Sequence, residues 1–300
     1  MKMKTIKQLA TSIAFTTMLF ATNLLQAEIP IKTGDKVAFL GDSITQQGQD
    51  RNNPGGYVQL VASGLVANGV KIEIIGAGIS GHKSDDMLKR LDRDVLSKHP
   101  QWMTLSCGVN DVWHGAKGVP LQDYKKNITA IVDQAQGAGI KVVLLTATMI
   151  GEDQANANNQ KLVAYNEFLR TLAADKKCLL ADLNADMQAA IAEAQKSGQK
   201  KSVKGNYLTV DGVHMALAGN LMMATGVLKG FGLNDAEIGK AKDAWLDIPN
   251  FSKLSATKAI SLRQFRQLEK VAAQRKVTVD NLLNDEFNKS VESLLKTEAP

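Results

Sequence analysis

The chain has 300 residues, enough for one α/β domain with a sizeable core plus an appendage. Its hydrophobic fraction of 44% and charged fraction of 22% are ordinary for a globular protein and argue against a disordered or fibrous chain. The formal charge of +6 falls to +3 once Lys2, Lys4 and Lys7 are set aside, and no basic stripe interleaved with aromatics occurs, so a nucleic-acid partner is not expected.

The first 27 residues form a secretory signal peptide by pattern. Lys2, Lys4 and Lys7 make a basic start, an apolar stretch runs from Leu9 to Leu25, and Ala27 supplies a small cleavage residue. Thr16, Thr17 and Asn23 interrupt the stretch, and a membrane span needs about 20 predominantly apolar residues. Export followed by cleavage is therefore expected, with no membrane span in the mature chain. Cys107 and Cys178 are placed at opposite edges of the sheet described below, too far apart to bridge, and read as buried thiols.

Strand-like runs then alternate with helical ones. Strands are predicted at Lys36–Leu40, Lys71–Ile75, Trp102–Cys107, Lys141–Ala147 and Cys178–Asp182. Helices are predicted near Tyr57–Ala67, Ser84–Lys98, Pro120–Gly137, Asn158–Asp175, Ala185–Lys196 and Ala216–Phe231. This alternation, with Val/Ile/Leu-rich strands, implies a five-stranded parallel sheet covered on both faces, a three-layer α/β/α fold. From residue 233 to 300 the strands stop, and Leu262, Phe265, Leu268 and Val271 recur at helical spacing. The expected domains are 1–27 signal, 28–232 main domain and 233–300 helical extension.

Four segments follow predicted strands or lie in the loop before the last helix of the main domain. They are Gly41-Asp42-Ser43-Ile44, Gly76-Ala77-Gly78-Ile79-Ser80-Gly81, Gly108-Val109-Asn110-Asp111 and Asp211-Gly212-Val213-His214. In a parallel sheet these ends share one edge, where ligands bind. The residue types suit acyl transfer. Ser43 needs a base to become a nucleophile, His214 can serve, and Asp211 can orient the imidazole and stabilise its cation. The Ser43 and Gly81 N–H groups and the Asn110 side-chain amide can supply oxyanion donors.

At these residues the chain resembles the SGNH (GDSL-type) hydrolases. All four blocks occur in family order, and the likeness spans roughly Lys36 to Phe231, with Gly-Asp-Ser-Ile standing where Gly-Asp-Ser-Leu is usual. The resemblance implies a flavodoxin-like fold, sheet order 2-1-3-4-5 and ester hydrolysis without cofactor or metal. It implies catalytic Ser43, Asp211 and His214, and an oxyanion hole of Ser43, Gly81 and Asn110. Similar exported bacterial enzymes deacetylate carbohydrates, which makes a small-molecule or polysaccharide ester the expected substrate. The alternatives are lipid or aryl esters, or a noncatalytic binding protein.

A rival reading rests on Gly76-x-Gly78-x-x-Gly81, which matches a dinucleotide fingerprint. It follows the second strand rather than the first, and Asp111 comes too late for the ribose acid. His82 interrupts a Gly-Lys pair, so a phosphate loop is not formed. His82 and His114 border the predicted crevice, with substrate-binding, surface and structural roles all open. His99 is placed in a solvated turn. Arg90, Asp92, Arg93 and Asp94 read as a mixed-charge, solvated helix face. Tyr57 either lines the crevice mouth or simply starts a helix.

Overall fold

A computed structural model describes residues 29–202, 204–249 and 258–297. The N-terminal segment read as a signal peptide lies outside them. The chain divides into two compact units at about residue 251.

The first unit holds β1 (Lys36–Gly41), α1 (Ser43–Gly48), α2 (Tyr57–Ala67), β2 (Glu73–Gly78), α3 (Ser84–Lys89), α4 (Leu91–Asp94), β3 (Trp102–Ser106), α5 (Val109–Trp113), α6 (Leu121–Gly137), β4 (Lys141–Leu145), α7 (Ala157–Asp175), β5 (Leu179–Ala181), α8 (Leu183–Lys196), α9 (Leu217–Gly230) and α10 (Asp235–Leu246). All five strands are parallel, in the order β2-β1-β3-β4-β5. Val37, Ala38, Phe39 and Leu40 on β1 are completely buried, and so is nearly all of β3, as expected for a sheet covered on both faces. Helices α2, α8, α9 and α10 pack among themselves, and α3, α6 and α7 do likewise. The three-layer α/β/α fold expected from the sequence is the fold observed.

Three local expectations need correction. The second strand runs later than Lys71–Ile75, continuing through Gly76 to Gly78 in register with Phe39, Leu40 and Gly41. A side chain at Gly78 would strike the backbone of Thr45 and Gln46 in α1, so glycine is what lets the helix after β1 lie over the end of β2.

The single helix expected over Ser84–Lys98 is broken into α3, α4 and a 3-10 turn at Leu96–Lys98. The break falls at Arg90, which turns inward and is only 5% exposed. It is not part of a solvated face.

The expected boundary at residue 233 falls inside the first unit, because α10 packs against α2. Ile238, Ala241 and Trp245 bury one face of α10. The Trp245 indole N–H donates to the Leu60 carbonyl. Gly64 permits the close approach, since a Cβ there would sit 2.9 Å from that of Ala241.

The second unit consists of α11 (Leu262–Arg275) and α12 (Val279–Thr297), which touch each other around buried Ala272 and Leu282. An Arg275–Glu286 ion pair joins them at 2.7 Å.

Candidate active site

Ser43 is the first residue of α1, one step beyond the strand-to-helix turn that ends β1. Asp42 caps the helix by accepting the Ile44 N–H at 2.9 Å. That cap points the chain so that Ser43 opens the helix, where first-turn N–H groups lack intrahelical acceptors. Burial pushes the Asp42 carboxyl up to about 6 against the pull of this hydrogen bond. Tyr57, fully buried at the start of α2, hydrogen-bonds its hydroxyl to that of Thr45 at 2.9 Å and so braces α1. It starts a helix and does not line the crevice.

The Asp211–His214 segment reaches Ser43 from the loop between α8 and α9. His214 Nε2 lies 2.9 Å from Ser43 Oγ, and His214 Nδ1 lies 2.7 Å from Asp211 Oδ2. The other Asp211 oxygen accepts the N–H groups of His214 (2.8 Å) and Val213 (3.0 Å). Burial raises the Asp211 pKa, but the hydrogen bonds from the His214 ring and from these N–H groups outweigh it, leaving the carboxyl below its ordinary value. An ionised Asp211 accepts a hydrogen bond from Nδ1–H, so Nε2 faces Ser43 as the acceptor. Gly212 sits at φ +94°, the left-handed conformation that allows so tight a loop.

The loop after β2 is held against α1 by glutamines. Gln46 accepts the Ser80 N–H at 2.7 Å, and Gln49 accepts the Gly78 N–H at 3.0 Å. Gly81 takes φ +77° in this loop. Asn110, 3% exposed at the start of α5, donates its side-chain amide to the His82 carbonyl at 3.1 Å, next to Gly81. Ser43 and Ser80 share a cavity of about 390 Å³ with Gln46, Gln47 and Asp50. A larger apolar cavity of about 700 Å³, lined by Leu60, Leu217, Leu221, Met222 and Trp245 among others, contains no residue of the Ser43–His214–Asp211 chain.

Arg90 ties these parts together. Its guanidinium donates to the carbonyls of Gly41 (2.8 Å) and Ala77 (2.7 Å), to His82 Nδ1 (3.0 Å) and to Asp94 (2.9 Å). It thus joins the ends of β1 and β2 to the loop that follows. His82 is held by this network, and its pKa is lowered by burial and by Arg90. A helical wheel carries the missed signal, because Arg90 lies between Met87 and Leu91 on the stripe that continues to Val95.

The dinucleotide reading fails on geometry. In such a site the pyrophosphate sits at the N-terminus of the helix after the glycines. Here the Asp111 carboxylate occupies that position, accepting the Ser84 N–H of α3 at 3.0 Å. Cys107 points its thiol at the same carboxylate, 3.4 Å away. Both cysteines are free; Cys107 is buried, but Cys178, also read as a buried thiol, is only half-buried just before β5. Among the described residues no cluster of His, Cys, Asp or Glu is arranged to hold a metal ion, and no helix is long and apolar enough to cross a membrane.

A model of the GDSL-like lipase/acylhydrolase family matches residues 39–220. The chain belongs to this family. It is 26% identical over 219 residues to an acetylxylan esterase of Geobacillus stearothermophilus, across 67% of this chain and 96% of the relative. Among solved structures, the acetyl xylan esterase AlAXEase aligns at 36% identity and a TM-score of 0.58, over 65% of this chain and 98% of that one. Axe2, an acetylxylan esterase from G. stearothermophilus, aligns at 25% identity and a TM-score of 0.59, over 68% and 97%. Structures of Axe2 include catalytic mutants in which a serine, an aspartate and a histidine are each replaced by alanine, the last two three positions apart. A shorter likeness, 30% identity over 84 residues, links the chain to the uncharacterized lipoprotein YqeF of Bacillus subtilis (strain 168). This GDSL-type protein is thus a carboxylic ester hydrolase, and the acetylxylan esterases it matches align over nearly their whole length while leaving about a third of this chain unmatched.

Proposed function

We propose that this esterase is exported and removes O-acetyl groups from carbohydrates, with Ser43 as nucleophile, His214 as general base and Asp211 as its orienting acid. The observation that carries the reading is the continuous hydrogen-bonded chain Ser43 Oγ–His214 Nε2, His214 Nδ1–Asp211 Oδ2, at 2.9 and 2.7 Å. Ser43 Oγ attacks the acetyl carbonyl as its proton passes to Nε2. The negative charge that develops on the carbonyl oxygen is met by the N–H groups of Ser43 and Gly81 and by the Asn110 amide. His214 then protonates the departing sugar oxygen, leaving an acetyl ester on Ser43. Water, deprotonated by the same Nε2, attacks that ester and releases acetate.

Three findings support the substrate class. The cavity at Ser43 is lined by Gln46, Gln47, Asp50 and Ser80, side chains suited to the hydroxyls of a sugar alcohol. The large apolar cavity, which would suit a fatty chain, lies along α2, α8, α9 and α10 and includes no residue of the triad. Several relatives are acetylxylan esterases, and catalytic mutants of one of them replace a serine, an aspartate and a histidine. Export is supported by the basic-then-apolar start of the chain and by the likeness to a lipoprotein.

The test compares acetate release from acetylated xylo-oligosaccharides with hydrolysis of short- and long-chain p-nitrophenyl esters. Efficient deacetylation and loss of activity as the acyl chain lengthens are expected. A preference for long chains would replace this reading with that of a lipase. Ser43→Ala should lower turnover roughly 10⁴-fold or more in a folded protein. Near-native turnover in that variant would refute the assignment of the nucleophile.

A further inference from the structure

Asp211 and His214 sit on a loop whose own secondary structure is slight. Within it, Val210 N–H donates to the His214 carbonyl, Ala216 N–H donates to that of Leu208, and Thr209 and Met215 form an isolated antiparallel bridge. Short segments of this kind do not hold a geometry unaided. The loop nevertheless has to present His214 Nε2 to a serine 171 residues away. Something outside the loop must set its position.

The outside group is Glu152, in the segment after β4. One carboxylate oxygen accepts the N–H of Leu208 (2.8 Å), the N–H of Thr209 (2.8 Å) and the Thr209 hydroxyl (2.8 Å). The other accepts the N–H of Tyr207 at 2.6 Å. Three successive backbone N–H groups thus converge on one carboxylate. The contact is relayed toward the site, because Thr209 Oγ1 in turn accepts the Gly212 N–H at 3.2 Å, between Asp211 and His214. A second link joins Gly151 N–H to the Gly212 carbonyl at 2.6 Å.

Glu152 is itself anchored. Asn159, buried in the first turns of α7, accepts the Ile150 N–H at 2.8 Å and donates to the carbonyls of Ile150, Gly151 and Asp153. Asn156, the cap of α7, also donates to Ile150 at 2.7 Å. The line of support runs from a long helix through residues 150–153 to the loop bearing the base. We infer that Glu152 is a positioning residue for the acid–base pair. It fixes where Asp211 and His214 stand relative to Ser43 without touching substrate. The inference rests on the proposed roles of those three residues.

A carboxylate is required chemically. Every group facing Glu152 is a donor, and a carboxylate only accepts. In Glu152→Gln one of the two oxygens becomes an NH₂ that meets a backbone N–H head-on. In Thr209→Val the relay to Gly212 is cut while side-chain volume is kept.

The experiment uses the full-length protein, well below its melting temperature, with p-nitrophenyl acetate. Glu152→Gln should lower kcat roughly 100-fold, the scale of a misplacement of about 1 Å, while KM stays within about twofold. The low-field proton signal of the His214 Nδ1–H···Asp211 hydrogen bond, seen by NMR, should shift or broaden. Thr209→Val should show the same signature more weakly, and the double variant should lose no more than Glu152→Gln alone. If both variants fold and keep native kcat and an unmoved low-field signal, Glu152 has no positioning role. If they are merely less stable but native in those two readouts below their melting temperature, the role is structural and the inference falls. Ser43→Ala, run alongside, separates the two levels: turnover in it would overturn the triad and this inference together, whereas an inactive Ser43→Ala beside a native Glu152→Gln refutes only the latter.

Discussion

Arg90→Met is the substitution whose cost the structure specifies most fully. The guanidinium is almost completely buried and makes four hydrogen bonds of 2.7–3.0 Å, to Ala77 O, Gly41 O, His82 Nδ1 and Asp94. Methionine fills much of the volume of the aliphatic stem but donates nothing. Asp94 keeps Arg93, which holds its pKa down near 2 together with Arg90, so the carboxylate is not wholly stranded. The two carbonyls lose a charged donor in a buried setting, and half-buried His82 loses one as well. Leaving buried acceptors without a donor costs about 1–3 kcal/mol each, so a loss of about 3–5 kcal/mol is expected for the site. For a domain of this size 1 kcal/mol moves the melting temperature by about 2–4 °C, so a fall of roughly 6–20 °C is expected. Arg90→Lys keeps the charge but cannot span both strand ends, and should recover only a minor part. Calorimetry or urea titration of the two variants beside wild type measures this. A shift below about 2 °C in Arg90→Met would refute the claim that Arg90 clamps β1 to β2.

Two further outcomes follow from the turn before Ser43 and the strand beside it. The Asp42 carboxyl has a folded pKa of about 6 against an ordinary value near 4, so the folded state holds an extra proton between those pH values. The stability this provides is complete below about pH 4 and is lost as pH rises through 6, a difference of about 2–3 kcal/mol. Asp42→Asn keeps an oxygen to accept the Ile44 N–H, so it should match wild type in urea titrations at pH 4 and exceed it by that amount at pH 8. An identical difference at both pH values would contradict the argument. Gly78→Ala places a methyl group against the backbone of Thr45 and Gln46, and should cost about 1–3 kcal/mol and displace Ser43, seen as lower stability and slower fluorophosphonate labelling. Native behaviour in both assays would show that α1 yields to the methyl.

The site blocks were legible because each combines a strand with a turn. Val37–Leu40 followed by Gly41-Asp42-Ser43 is an apolar run ending in residues that favour turns and helix caps, and a parallel sheet gathers all such ends on one edge. The layering followed from the strand–helix alternation, and the strand order from the resemblance to the SGNH hydrolases. Arg90 was misread because local charge alternation with Asp92, Arg93 and Asp94 looks like a solvated surface, and its inward turn depends on carbonyls contributed by β1 and β2. Glu152 was invisible for a related reason. It stands in an aperiodic Gly-Glu-Asp segment, and its partners are backbone N–H groups more than 50 residues away, which carry no residue signature. Helix α10 was assigned to the appendage because the strand–helix alternation stops near residue 233. Its place in the first unit is decided by the gap that Gly64 leaves on α2.

The separation of 171 residues between Ser43 and His214 also has a temporal meaning. The proposed nucleophile emerges in the first βα unit of the nascent chain, and its proposed base in the last loop before α9. At roughly 5–20 residues per second, about 10–30 s of synthesis pass between them. During that interval Ser43 is an ordinary alcohol with no group to take its proton. On the proposed roles of these residues, hydrolytic competence requires that the loop bearing Asp211 and His214 has docked at the sheet edge that carries Ser43. On that proposal, a chain arrested or clipped before the loop is expected to show no esterase activity.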